Sequence, residues 1–313
     1  MDNKVTKNTF FYKFFKVDFL AETLSLKQLI QRELLKAIDR SWKHLAVEIR
    51  QQIALELSDK IILTPRQKSS PALVYRCAIA FSFANLVGGS ARSIAYEIIS
   101  LLPTVKAEIA PDMGLVIAVT VVNAGWLDLT ICDRNLVVWL NYIVPKISQQ
   151  SDRKPTSFLT TESDDLNKLF PLQYICLRCT SLLQLGAREG LIARNENLTA
   201  LKWQIERSFV INWHNDRGNL CLVAPQARDL LWQICLMLDY IGADGEYSFQ
   251  HWLQFTEQIS TIWLQFVAKC NFCGKLKQQN ILLAIARLGL IALTYWCLQT
   301  ILSRFNLIFP KDF

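Results

Sequence analysis

The residues best equipped for chemistry are nine cysteines, three histidines and a scatter of aromatic and basic side chains, and their spacing decides what each could do. Two cysteine pairs have metal-ligand spacing, Cys176-Leu-Arg-Cys179 and Cys270-Asn-Phe-Cys273, the second followed by Gly274 as in a zinc knuckle. Four thiolates would form a structural zinc site if the pairs met. The first pair lies in a strongly periodic helical segment, where cysteines three apart commonly pack as small apolar residues. Packing is the reading preferred here, with no metal and no cofactor expected. His44, His214 and His251 lie far apart, near Trp42, Trp213 and Trp252, which suits packing or a helix surface better than catalysis. No nucleophile-elbow serine occurs, and Gly88-Gly89 lacks the further glycines and lysine of a phosphate-cradling loop.

Gln173, Tyr174 and Arg178 suggest a different chemistry. They fall on adjacent helical turns, and a ring beside an arginine suits unpaired bases, through stacking and backbone contacts. An ordinary helix with Tyr174 half-buried accounts for the same pattern. The net charge of +7 favours a polyanionic partner over an acidic one.

The elements that must position these residues are mostly helices. With 51% hydrophobic and 19% charged residues, the 313-residue chain has ample material for a core and for about two domains. Ile281–Phe313 opens with a helix that is apolar on nearly every side and interrupted by one charge, Arg287, so it must lie inside the fold. Leu288–Leu302 is about fifteen residues long, where a membrane span needs about twenty. Extending it backwards brings in Arg287. The first twenty residues have no uninterrupted apolar core of a signal peptide. An odd number of cysteines without an export signal reads as reduced thiols, so a cytoplasmic protein without a membrane partner is expected.

Lys27–Ile38 and Trp42–Leu57 have helical periodicity, 63–70 reads as a loop, and Pro71–Leu102 as a helix, a break at Gly88-Gly89 and a second helix capped by Ser90. Lys106–Val122 is β-branched and reads as one or two strands, and Gly125–Ile131 alternates like a half-buried strand. Asp133 is placed to cap a helix through Leu136–Ile143. The expected organisation is an α+β domain over 1–148, a linker over 149–165 and an all-α helical bundle over 166–313, with helices at 169–186, 197–215, 225–241, 249–269 and 278–303.

Several of these segments resemble arginyl-tRNA synthetase. Phe170-Pro-Leu-Gln173-Tyr174-Ile-Cys-Leu-Arg178-Cys-Thr-Ser181 is similar to the first helix of that family's DALR anticodon-binding domain. Trp263-Leu-Gln-Phe266-Val-Ala-Lys-Cys270 resembles its Phe-x-x-Phe-Tyr-x-x-Cys segment, with Val267 at the Tyr position. Ala286-Arg287-Leu288 and the closing Pro310-Lys-Asp-Phe313 resemble the end of the domain. In the N-terminal half, Tyr75–Ile99 and Gly125-Trp126-Leu127-Asp128-Leu129 resemble the family's additional domain, whose strand contacts the D-loop of tRNA. The resemblance implies that Trp126 stacks on a base, that Asp128 sits at the reading position with Asn123 assisting, and that Gln173, Tyr174, Arg178, Trp263, Phe266 and Arg287 face the anticodon side, with a core-edge cation capping helix carbonyls as the equal alternative for Arg287. Asp128 stands where the family has an amide, and a carboxylate only accepts hydrogen bonds and repels phosphate.

The family's His-x-Gly-His and Lys-Met-Ser-Lys-like motifs for ATP and the adenylate do not occur. The resemblance therefore implies a stand-alone binder of tRNA or other structured RNA without its own aminoacylation site. A protein-interaction module on the same fold, or an accessory chain to a separate arginine-tRNA ligase, is the alternative.

Overall fold

The computed structural model describes residues 25–41, 52, 56, 60–64, 72–102, 107–108, 116–149, 167–192, 211–242 and 249–305. An α+β portion is followed by a helical one. The order is α1 (Leu26–Ser41), β1 (Ile61–Leu63), β2 (Leu73–Cys77), α2 (Ile79–Val87), α3 (Ala91–Leu101), β3 (Ala107–Glu108), β4 (Val116–Val122), β5 (Trp126–Ile131) and α4 (Asp133–Gln149). A short 3-10 turn, Asn167–Leu169, leads into α5 (Phe170–Arg188), α6 (Pro225–Gly242), α7 (Phe249–Lys269), α8 (Lys275–Gln279) and α9 (Ile281–Arg304).

The five strands form one antiparallel sheet in the order β1-β2-β5-β4-β3. Alternation gives it two unlike faces. Leu73, Tyr75 and Cys77 of β2 and Leu127, Leu129 and Ile131 of β5 are buried, on the side covered by α1 and α3. Val74, Arg76, Trp126, Asp128 and Thr130 point the other way and remain partly open. At the tip of the β4–β5 hairpin Asn123 adopts φ 52° and Gly125 φ 136°. A Cβ on Gly125 would come within 2.6 Å of the Ala91 carbonyl carbon, so glycine lets the tip sit against the start of α3.

α9 is the enclosed helix expected from its all-round apolarity. It lies between α5 and α6, with Ala284, Leu288, Leu290, Ile291, Leu293, Cys297, Leu298 and Ile301 buried. Ile281–Ser303 is long and apolar enough to cross a membrane, and 61% of its most apolar window is buried within the fold. Asn280 caps α9 by accepting from Leu283 N at 2.9 Å. The helix runs antiparallel to α5, and a Cβ on Gly186 would meet the Leu288 side chain at 2.8 Å.

Buried polar groups tie the two portions together. Asp239 of α6 is 6% exposed and accepts from Ser25 Oγ at 2.5 Å, Lys27 N at 3.3 Å and Tyr75 Oη at 3.0 Å. One carboxylate thus holds the start of α1 and strand β2. Burial pushes its carboxyl up to about 6, against the pull of Ser25, Tyr75 and Lys27. Arg228 of α6 donates from both terminal nitrogens to the two Asp133 oxygens at 2.5 Å each, at the first turn of α4. Trp232 Nε1 donates to the Thr64 carbonyl at 3.0 Å. The buried apolar side chains form one cluster running from Leu26 to Phe305.

Three expectations are corrected. The helix expected from Pro71 begins as strand β2, because Leu73-Val-Tyr-Arg-Cys alternates and two of its residues favour a pleated surface. Ile61–Leu63, where no strand is expected and a loop is read from residue 63, is edge strand β1. Residues 211–215 of the expected helix 197–215 are not helical. Asn215 Oδ1 instead accepts from Arg217 N and Asn219 N at 3.0 and 3.1 Å, and this turn brings His214 opposite Leu220. Residues 197–210, the linker from 150, and Trp42–Leu57 other than the helical Gln52 and Glu56 lie outside the described residues.

Candidate nucleic-acid interface

The open sheet face is built around a cation, a carboxylate and two rings. Register places Arg76 of β2 directly opposite Asp128 of β5. Arg76 Nε donates to Asp128 Oδ1 and Nη2 to Oδ2, each at 2.7 Å, which makes a planar two-point fork. These bonds raise the Arg76 pKa further. The Arg76 side chain is 36% exposed and that of Asp128 15%. Asp128 therefore presents no bare charge to a phosphate, since Arg76 neutralises it. The guanidinium carbon lies 6.0 Å from the Trp126 ring centroid, within cation–π range. Phe81 of α2 meets the same ring edge-on, with centroids 5.2 Å apart and planes at 60°. Trp126 is thus framed on two sides.

Asn123 is exposed at the hairpin tip, and its left-handed backbone is one that asparagine tolerates. Beside the tip, on the outer side of α3, Arg92 lies 5.9 Å from the centroid of the Tyr96 ring, which is 53% exposed.

On α5, Tyr174 and Arg178, two of the three residues expected there, share the exposed side. Phe170 is 61% and Tyr174 51% exposed, Arg178 and Ser181 are exposed on the turns that follow, and Arg188 is exposed two turns beyond Ser181. The opposite side, Leu172, Ile175, Cys176, Cys179 and Leu183, is buried. Gln173 is half-buried at the margin.

The anticodon-side aromatics are corrected. Trp263 and Phe266 are each 1% exposed, with rings 6.1 Å apart, and belong to the core stripe Phe255, Ile259, Trp263, Phe266 of α7, which the buried Cys270 continues just past its end. Neither ring is open to solvent. Arg287 is half-buried and donates from Nη1 to the Asn271 carbonyl at 2.6 Å, so it fastens the turn between α7 and α8.

The four zinc candidates are free thiols. Cys176 and Cys179 are buried in α5, Cys270 is 2% exposed and Cys273 is partly exposed; burial raises the pKa of all four. Among the described residues, no group of three or more His, Cys, Asp or Glu side chains is placed to share a metal ion. His214 is exposed in its turn, and His251 packs edge-on against Tyr240 at 4.9 Å; His44 lies outside the described residues.

Sequence reasoning missed Arg76 and Phe81. Arg76 was legible in principle, because an alternating Leu73–Cys77 puts it with Val74 on the outer face. The class that fold and surface define is an α+β portion joined to a helical one, each with solvent-facing aromatic and cationic side chains. Comparison with protein-family models, curated proteins and solved structures found no match.

Proposed function

We propose that this chain is a stand-alone RNA-binding protein of the DALR anticodon-binding type, with tRNA as its expected ligand, acting in the cytoplasm without an aminoacylation site of its own. The observation that carries the reading is the outer face of α5. Burial of Phe170 and Tyr174 would ordinarily be favourable, yet the two rings are 61% and 51% exposed and aligned with Arg178. An exposed ring one turn from a guanidinium offers an unpaired base a stacking partner and its phosphate a counter-charge. The Arg76–Asp128–Trp126 cluster is a second surface of the same chemistry.

Filter binding with bulk tRNA over a salt series tests the reading. Log affinity is expected to fall linearly with log salt. No binding at low salt, or binding without a salt slope, rejects it.

Protein docking is the second reading, favoured by exposed apolar side chains on the helical portion, including Leu264 at 60%, Ile281 at 49% and Leu282 at 45%. A protein partner retained through RNase treatment and high salt would support it.

A further inference from the structure

We propose that Arg76 is the residue of the sheet face on which an unpaired RNA base stacks, with Asp128 holding its guanidinium flat and Trp126 backing it. The inference rests on the RNA-binding reading and names the contact made at its second surface.

A guanidinium on a flexible stem is a poor platform unless its plane is fixed. Here the fork to Asp128, with both bonds at 2.7 Å, fixes it from one edge. The Trp126 ring, 6.0 Å from the guanidinium carbon, supports it from below. Trp126 has Arg76 over its ring and Phe81 against it, whereas Arg76 keeps 36% of its side chain open. Register sets Ile62 of β1, 51% exposed, on the other side of Arg76. The planar cation therefore lies between an apolar side chain and its carboxylate partner. Guanidinium planes are established stacking partners for unpaired bases. A point-charge phosphate contact would need none of this constraint, since an ammonium on a flexible stem also makes it.

Lysine at 76 separates the two roles, because it keeps the charge and loses the plane. Binding of a short single-stranded RNA is compared with that of the same ribose-phosphate chain lacking bases, for the wild-type chain, Arg76→Lys and Asp128→Asn. The wild type is expected to prefer the base-bearing chain. Arg76→Lys should cut that preference about tenfold while leaving the abasic affinity and salt slope unchanged. Asp128→Asn keeps the shape but weakens the fork, so it should cut the preference by less. It also supplies the test if the lysine variant does not fold. An unchanged preference in the folded variants, or a wild type that binds both chains equally, overturns the stacking role while leaving RNA binding intact. A wild type that binds neither RNA nor bulk tRNA overturns the underlying reading instead.

Discussion

Among the described residues, a two-point arginine–aspartate fork occurs in two different settings. Arg228–Asp133 lies at the seam between the α+β and helical portions, where Arg228 is 6% exposed. Arg76–Asp128 lies on the open sheet face, with the arginine side chain 36% exposed. The aspartates are similarly enclosed, at 15% and 17%, so the arginines make the difference: Arg228 left alone would be a charge stranded from water, whereas Arg76 is already open to it. The first fork therefore belongs to folding and the second is free to serve binding.

Breaking the seam fork should have the largest effect. Arg228→Ala is expected to lose about 3–5 kcal/mol in chemical denaturation, with RNA affinity per folded molecule preserved. A loss below about 1 kcal/mol would place the pair among surface contacts.

The acid that shares this seam gives the next effect, as a pH dependence. Asp239 titrates at about 6 in the folded chain, above the roughly 3.9 of an exposed aspartate. The folded state therefore holds a proton that the unfolded state releases first. Stability from this group is full below about pH 4 and is lost as pH rises to about 6, by on the order of 3 kcal/mol. The stability difference between the wild type and Asp239→Asn isolates this group, and it should move against the wild type as pH rises across that window. A difference that stays level or moves the other way contradicts the assignment.

On the binding side, Tyr174→Ala should weaken tRNA binding by about 1–3 kcal/mol with little change in salt slope, because a ring is lost and no charge. Stability should barely move, since Tyr174 is 51% exposed. The smallest expected effect is that of Arg76→Ala on folding, at most about 1 kcal/mol. A loss comparable to that of Arg228→Ala would erase the distinction between the forks.

How much of this was legible in the sequence depended on whether a pattern was local. The enclosure of α9 followed from its apolarity on all sides, and the two faces of β5 followed from Trp126–Ile131 alternation. Ser90 was a visible cap, and it accepts from Ser93 N at 3.1 Å. Strand β2 was hidden by its neighbourhood, because five residues of alternation sit among the alanines and apolar residues that go on to form α2. Trp263 and Phe266 are readable as core, since they continue a stripe with Phe255 and Ile259 on one side of α7. The motif resemblance points them at RNA instead, and their 1% exposure places them in the core. The Arg76–Asp128 fork was beyond local reading. It joins residues 52 positions apart, and only the β2–β5 register brings them opposite one another.

Crosslinking the full chain to tRNA with ultraviolet light and mapping the modified peptides tests the central claim most directly. The account predicts adducts within Phe170–Arg188, at Phe170 or Tyr174 above all, and within the β2 and β5 peptides that carry Arg76 and Trp126. Adducts confined to other surfaces, or none under conditions where tRNA is bound, would contradict it.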